Sequence, residues 1–177
     1  MPKWEGYDTL EIKGNMLMPG FSIYLLEIRY TGKPRYYYVG MTGDSYFPSA
    51  RSAFHRISGH LELAKSTQNQ LITGIKEQML LKDEDFVNLH LKMHHFPISG
   101  FVKWNGKVSE FDNNCVEYNN YKIGQEKVRV FENTMIHFLK EKIGVRLLNK
   151  TQGNKITDGF GDYEQIFTDI SGILENG

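Results

Sequence analysis

The sequence predicts an α/β fold of the α+β kind, in which a small antiparallel sheet is flanked by helices. Two observations carry this prediction. Residues 21–30 and 36–41 are runs of branched and aromatic residues separated by a turn, which is typical of a β-hairpin. Four later segments repeat apolar residues at steps of three and four, which is the spacing of amphipathic helices.

The first hairpin assigns its tyrosines to defined faces of the sheet. Residues 31–34, with Gly32 and Pro34, form the turn. Because side chains alternate along a strand, Tyr24 shares a face with Leu26, and Tyr38 shares a face with Gly40.

Two helices are predicted after the hairpin. Pro48 opens the first, and its inward positions recur at helical spacing: Ala50, Phe54, Ile57, Leu61 and Ala64. Residues 69–81 predict the second helix, which ends in a solvated acidic turn at 83–85.

The second half of the chain predicts a strand, an extra hairpin and two helices. Residues 86–95 alternate, with Val87, Leu89, Leu91 and Met93 inward. Residues 101–111 contain Asn105-Gly106, a strong hairpin-turn signal. A polar loop at 113–121 precedes a long helix at 124–143 that ends at Gly144, and a loop at 151–162 precedes a final helix at 163–174.

Length and composition fit one folded domain. The chain has 177 residues, 40% hydrophobic and 24% charged, which is enough to bury a core without disulfides. We expect a single domain over 1–177, with a core at about 20–150 and a C-terminal extension at 151–177. The first residues lack a signal-peptide pattern and no apolar run is long enough to span a membrane, so we expect a cytoplasmic protein.

The common catalytic motifs are absent from the sequence. There is no phosphate-binding loop, no zinc-protease motif and no nucleophile elbow. His90, His94 and His95 resemble a ligand cluster, but on a strand His95 faces away from the other two, so ordinary strand histidines are favoured. Cys115, the single cysteine, is favoured as a bystander over a catalytic thiol.

Glu132 is the most informative charged residue of the sequence. It falls within the apolar face of the long helix, which is formed by Val128, Phe131, Met135, Ile136 and Leu139. A buried carboxylate is costly unless it is paired or binds a cation. Two explanations therefore stand, a salt bridge to a core-facing Lys or Arg and a cation site.

A second candidate is an Arg and a His four residues apart on the helix after the hairpin. Arg56 and His60 have this spacing, and so do Arg51 and His55. The same pattern is common on solvated helix surfaces, so the residues themselves do not choose between the pairs.

In combination, these features resemble the GIY-YIG endonuclease family over residues 21–149. The elements follow the family's order: Ser22-Ile23-Tyr24 and Tyr38-Val39-Gly40 in the hairpin, Arg56 and His60 in the Arg-x-x-x-His pattern, a third strand, a helix bearing Glu132, and Leu147-Leu148-Asn149. Ser22 replaces the first Gly of the motif and Val39 replaces its Ile. Longer connections at 31–35 and 41–50 resemble the restriction-endonuclease branch and keep Arg51 open as an alternative to Arg56.

The resemblance implies metal-dependent hydrolysis of DNA phosphodiester bonds. It implies that Glu132 binds one Mg²⁺ or Mn²⁺, which would polarise the phosphate, and that Arg56 contacts the phosphate oxygens. Tyr24 would orient or deprotonate the attacking water, Tyr38 would hold the nucleophile or the phosphate, and His60 would assist proton transfer.

Three further residues have supporting roles under the same resemblance. Asn149 would position the tyrosine or the backbone near the metal. A free phenol has a pKa of about 10, so Tyr24 needs a nearby cation, which Lys33, Arg35 or the metal would provide.

The expected partner is double-stranded DNA. Candidates for its contacts are Arg51, Asn113, Asn114, Lys150, Gln152 and Asn154. A sequence-specific type II restriction enzyme that cuts both strands would most simply be a homodimer. A non-specific or repair-type nuclease and a catalytically silent nucleic-acid-binding protein on the same fold are the alternatives.

The charge distribution limits which part of such a protein would bind the DNA phosphates. The net charge is zero, but residues 29–65 carry six basic and two acidic side chains, whereas residues 156–177 carry five acidic and no basic ones. We therefore expect phosphate binding on one face rather than indiscriminate electrostatic attraction.

Overall fold

The computed structural model describes residues 9–43, 50–61, 69–101, 116–154 and 163–176. Over these residues the chain is a mixture of α-helices and one small antiparallel sheet, as predicted. The strands are β1 Gly20–Arg29, β2 Tyr36–Met41 and β3 His90–Phe101, and the helices are α1 Ala53–His60, α2 Gln70–Gln78, α3 Val116–Ile143 and α4 Glu164–Glu175. The predicted Asn105-Gly106 hairpin lies outside the described residues.

The sheet has the strand order β2-β1-β3, and its register determines which side chains meet. Tyr24 pairs with Gly40 on β2 and with His95 on β3, and Leu26 pairs with Tyr38. Since directly paired residues share a face, the register places Tyr24 and Tyr38 on one face of the sheet. The predicted pairings of Tyr24 with Leu26 and of Tyr38 with Gly40 on a face agree with this register.

The two faces of the sheet pack against different helices. Phe21, Ile23, Leu25 and Val39 form one core with the apolar side of α3, which in turn packs against Ile170 of α4. A second core on the opposite face joins the strands to α1 and α2, and its buried members are Tyr24, Leu26, Ile28, Tyr38, Ile57, Leu71, Ile75, Met79, Leu81 and Leu148.

The outer edge of β2 is closed by the segment that follows α3. Leu147 forms a parallel bridge with Tyr37, and the Leu148 amide donates to the Tyr37 carbonyl at 2.8 Å. Asn149 continues this pairing with its side chain, which bonds both the amide and the carbonyl of Val39 at 2.8 Å. These contacts satisfy backbone groups that an edge strand would otherwise leave unpaired.

The start of the third strand differs from the prediction. Asp83–Asn88 forms a 3-10 helix, β3 begins at His90, and Val87 is 82% exposed rather than inward. The Asp85 carboxylate accepts from the Lys82 amide at 2.8 Å and caps this turn. Local side-chain bonding of this kind competes with strand formation, which the alternating pattern does not reveal.

The predicted polar loop at 113–121 is also wrong over its second half, because α3 begins at Val116. Asn113 and Asn114 lie outside the described residues. Tyr121 is buried, with its ring 5.3 Å from that of Phe21, and Gly124 lies where a larger residue would clash with Phe21. Tertiary packing at Tyr121 and Gly124 therefore stabilises the N-terminal part of α3, which its polar sequence does not favour.

The ends of the first two helices are set by capping residues. Ser52 caps α1, and its side chain accepts a hydrogen bond from the His55 amide at 3.2 Å. Ala50 therefore lies before the helix, where it is buried. The predicted start at Pro48 lies outside the described residues. Asn69 caps α2, which ends at Gln78 rather than at residue 81, because Leu80 has a φ of +53°.

None of the described helices is both long enough and apolar enough to cross a bilayer.

Candidate active site

The tyrosine of the first strand lies against the glycine of the second. Tyr24 is fully buried, and its ring and hydroxyl occupy the space directly over Gly40, its cross-strand partner. Any side chain at residue 40 would overlap this ring. The hydroxyl of Tyr24 is buried and has no hydrogen-bond partner among the described residues.

Helix α1 brings two polar side chains to the same face of the sheet. The His60 ring lies against Tyr38, with ring centroids 5.8 Å apart. Arg56, one turn earlier, is partly buried, and its Nε has no hydrogen-bond partner within the described part of the chain. The spacing of four residues puts both on one side of the helix, as the Arg-x-x-x-His pattern requires.

Helix α3 brings Glu132 to the end of β2. The Glu132 side chain is partly buried and lies near the Met41 backbone amide, which favours the charged form of the carboxylate and so acts to lower its pKa. Backbone groups alternate in direction along a strand, so the Met41 amide points outward from the same edge as the Val39 groups that bond Asn149.

The four groups Tyr24, Tyr38, Arg56 and Glu132 influence one another electrostatically. Burial raises the pKa of Tyr24 well above its ordinary value, and the neighbouring Tyr38 adds to this, whereas Arg56 opposes it. Burial, aided by Glu132, raises the pKa of Tyr38 to about 12. The structure thus gathers side chains from β1, β2, α1 and α3 around Arg56.

The two remaining titratable groups of this site are shifted toward their neutral forms. Burial raises the pKa of Glu132 to about 7, although Arg56 and the Met41 amide oppose the rise. Burial and the adjacent Arg56 lower the pKa of His60. The Glu132 carboxylate is therefore incompletely compensated by its protein surroundings, which argues against a simple salt bridge as the reason for its position.

Lys33 and Arg35 do not join this group. They belong to the turn end of the hairpin, and Ile28 and Tyr36 form the last pair there, four pairs along the ladder from Tyr24 and Gly40. That spacing is roughly 13 Å. Arg35 instead contacts Glu27 at 3.0 Å, so Arg56 rather than Lys33 or Arg35 is the cation that acts on Tyr24.

Glu27 is a buried carboxylate that the sequence interpretation overlooked. It is 2% exposed and is contacted by Arg29 at 2.5 Å and by His94 at 3.5 Å, in addition to Arg35. Burial alone would raise the pKa of Glu27, but hydrogen bonds from Arg29 and His94 and the charges of Arg29 and Arg35 hold it below its ordinary value. Alternation along β1 places Glu27 on the same face as Ile23 and Leu25, and this pattern could have indicated its burial. It braces the far end of the hairpin and not the candidate active site.

The predicted DNA contacts are scattered across the described surface. Arg51 precedes α1 and contacts His55 at 2.8 Å. Lys150 lies 3.5 Å from Glu77, and Gln152 accepts from Lys140 at 3.4 Å. The Asn154 amide donates to the Asn133 carbonyl at 3.3 Å, which is a structural contact.

The three histidines of β3 do not form a cluster. His90 and His94 pair with Arg29 and Leu25 on one face, whereas His95 pairs with Tyr24 on the other. In the described part of the chain, no group of three or more His, Cys, Asp or Glu side chains could hold a metal ion. Ordinary strand histidines, the favoured interpretation, fit this geometry.

The chain was compared with family models, with curated proteins and with solved structures. No family model matches it, and no curated protein or solved structure matches it either. The resemblance to the GIY-YIG endonuclease family therefore stays an expectation drawn from the sequence.

Proposed function

We propose that this protein is a metal-dependent endonuclease of the GIY-YIG type that hydrolyses phosphodiester bonds of double-stranded DNA. The observation that carries the proposal is the convergence of Tyr24, Tyr38, Arg56, His60 and Glu132, which come from separate segments of the chain. The Tyr24 hydroxyl and the Arg56 Nε are buried and have no hydrogen-bond partner among the described residues. Such groups suit a site that binds a water and a phosphate.

The residues of this site fit a divalent cation. Glu132 presents a hard oxygen ligand that its protein surroundings compensate incompletely, as its raised pKa indicates. Mg²⁺ in proteins is commonly bound by one or two carboxylates together with waters and substrate phosphates, so a single carboxylate suffices. A bound Mg²⁺ or Mn²⁺ would supply positive charge that stabilises the phosphate and the leaving oxygen.

Arg56 is suited to bind the phosphate itself. A guanidinium offers several N–H donors in a planar fork that matches two phosphate oxygens. Its Nε lacks a partner among the described residues, so a phosphate would satisfy a donor that is otherwise left buried. Binding there would bring the scissile phosphate beside Tyr24 and Tyr38.

The two tyrosines are suited to orient the attacking water rather than to remove its proton unaided. Burial raises the pKa of both phenols, so their hydroxyls stay protonated at neutral pH. His60 has a lowered pKa and is therefore neutral at pH 7, which leaves its imidazole available to accept a proton. This assignment gives Tyr24 and Tyr38 positioning roles and His60 the acid–base role.

Cleavage of supercoiled plasmid DNA tests the proposal. Wild-type protein with Mg²⁺ should convert the plasmid to nicked and linear forms, and Glu132→Gln or chelation of the metal should abolish this. Glu126→Gln is the matched control, because Glu126 lies on the exposed side of the same helix, paired with Arg129 at 2.8 Å. Binding without cleavage under any metal would instead favour a catalytically silent DNA-binding protein.

We further propose that the enzyme is a sequence-specific restriction endonuclease acting as a homodimer. The longer hairpin turn and the additional C-terminal helix α4 support this finer assignment. Mapping cut positions on mixed-sequence DNA should give one short palindromic site, whereas random cuts would leave a non-specific or repair-type nuclease. Sedimentation at cleavage concentrations should give a mass of two chains.

A further inference from the structure

Two buried hydroxyls lie immediately beside the amide that contacts Glu132. Ser22 is 2% exposed and Thr42 is fully buried, so neither hydroxyl is explained by solvation. Thr42 follows Met41 directly in the chain, and Ser22 lies next to Ile23, the cross-strand partner of Met41. Both therefore flank the backbone whose N–H reaches the Glu132 carboxylate.

The two side chains clamp the end of β2 onto β1. The Thr42 hydroxyl accepts from the Ser22 amide at 2.7 Å and donates to the Gly20 carbonyl at 2.5 Å. The two hydroxyl oxygens lie 3.2 Å apart, and the Thr42 amide donates to the Ser22 carbonyl at 2.9 Å. Strand ends usually fray, but this one is tied by buried bonds through both backbone and side chain.

The clamp matters for Glu132 because of how a carboxylate ligand is held. The Met41 amide stabilises the charged form of the Glu132 carboxylate, and a carboxylate has further lone pairs that can bind a cation. Carboxylates that bind metals are themselves held by hydrogen bonds, and losing such a partner commonly costs about 10- to 100-fold in metal affinity. An amide on a loosened strand end could not fix the carboxylate in this way.

We propose that Thr42, assisted by Ser22, is a positioning residue for Glu132. By fixing the Met41 amide, the clamp holds one carboxylate oxygen and leaves the other turned toward a divalent cation. This inference rests on the proposed function of Glu132 as the cation ligand. Ser22 stands where the motif has glycine, so the hydroxyl–hydroxyl contact is a feature of this chain's own sequence.

Direct binding of Mn²⁺, followed by electron paramagnetic resonance without DNA, tests the clamp independently of cleavage. Thr42→Val keeps the shape of the side chain but removes its hydroxyl, and we expect Mn²⁺ to bind about 10-fold or more weakly. Thr42→Ser restores the hydroxyl and should bind within about twofold of wild type. Ser22→Ala removes only the hydroxyl–hydroxyl contact and should weaken binding, but less than Thr42→Val. If Thr42→Val does not fold, wild-type affinity of Ser22→Ala for Mn²⁺ would contradict the clamp.

Thr134→Val separates positioning from general destabilisation. Thr134 is also a buried threonine, 9% exposed, whose hydroxyl donates to the Val130 carbonyl at 3.0 Å within α3. Its removal should lower stability without weakening Mn²⁺ binding. A cleavage assay adds a second discriminating measurement: Thr42→Val should need more Mg²⁺ for half-maximal rate and should recover near wild-type kcat at saturating Mg²⁺.

Two outcomes would contradict different claims. If wild-type protein does not bind Mn²⁺, or if Glu132→Gln binds it equally well, Glu132 is not the ligand and the proposed function fails. If binding depends on Glu132 but Thr42→Val binds as tightly as wild type, or if Thr42→Ser loses as much affinity as Thr42→Val, the clamp has no positioning role and this inference alone fails.

Discussion

Gly40 shows how one residue's lack of a side chain creates the candidate site. The space that a side chain would need is filled by the Tyr24 ring, so the backbone of β2 forms the floor on which this tyrosine lies. The glycine is required here by close approach of an aromatic ring and not by an unusual backbone conformation, because no positive φ is found at this position.

Gly40→Ala should therefore destabilise the protein by about 1 to 3 kcal/mol, since the added methyl group overlaps a ring that is buried on all sides. Unfolding in urea, followed by circular dichroism, measures this change. Gly59→Ala is the control, because residue 59 lies in α1 with open space around it, and alanine there should be neutral or stabilising. Equal stabilities for the two variants would contradict the packing argument.

Glu132 is expected to make stability depend on pH. Its pKa is about 7 in the folded protein, raised from 4.5 by burial. The folded state thus holds this proton more tightly than the unfolded state, so the contribution to stability is fully present below the unfolded pKa and is lost as pH rises to the folded pKa.

Glu132→Gln should accordingly match wild type near pH 4.5 and exceed its stability at pH 8 by about 2 kcal/mol, because the variant buries no charge. Urea unfolding at both values, without divalent cations, measures the difference. Glu126→Gln should show no stability difference from wild type that grows between pH 4.5 and pH 8. Excess Mg²⁺ should close the gap at pH 8 by stabilising wild type alone. A difference that stays constant with pH would refute the assigned titration.

At the scale of elements, the backbone groups at the edge of β2 are paired by the Asn149 side chain, in the place where a neighbouring strand would otherwise pair them. Asn149 bonds both backbone groups of Val39, 110 residues away in sequence, and is 5% exposed. It fixes β2, and with it Tyr38, Gly40 and Met41, against the end of the α3 segment. In the structure Asn149 therefore holds the backbone of β2, whereas its expected role beside a metal stays a prediction.

Asn149→Leu should destabilise the protein by about 2 to 4 kcal/mol, because two buried backbone groups lose their partners at once. The midpoint of urea unfolding should fall, while the slope of the unfolding free energy against urea concentration stays unchanged. Asn154→Leu is the control: this asparagine uses its backbone amide for the contact with Asn133, so the change should stay within about 0.5 kcal/mol. A similar loss in both variants would refute the edge-closure role.

At the scale of the whole molecule, charge is unevenly distributed along a chain whose net charge is zero. The basic residues between 29 and 65 include Arg56 of the candidate site and Arg51 just ahead of α1, whereas the C-terminal extension is acidic. DNA binding confined to one face should involve few phosphate contacts and therefore a moderate dependence on salt.

Arg51→Gln should weaken DNA binding at all sequences and reduce the slope of log K against log salt concentration by about 1, as expected for loss of one phosphate contact. Fluorescence anisotropy with a labelled duplex across a salt series measures both. Arg129→Gln, on the exposed side of α3, should leave the slope unchanged. If the two variants behave alike, Arg51 makes no specific contact with DNA.

The sequence by itself determined the element types and the order of the candidate residues. Period-two alternation put Tyr24 on the face of Leu26 and Tyr38 on the face of Gly40, and helical spacing put Glu132 on the apolar side of α3, since all three depend only on local geometry. Capping and turn contacts are harder to recognise in a sequence, so the prediction does not contain the 3-10 helix at Asp83–Asn88 and starts α3 too late.

Only the tertiary structure decided which groups meet. The Met41 amide and the hydroxyls of Ser22 and Thr42 carry no distinctive pattern, because their importance arises from contacts across strands and with α3. The same holds for the pKa shifts, which depend on burial by residues far apart in sequence. The sequence offers Lys33, Arg35 or a metal as the cation near Tyr24, whereas in the structure Lys33 and Arg35 belong to the turn end of the hairpin and Arg56 is the side-chain cation that acts on Tyr24.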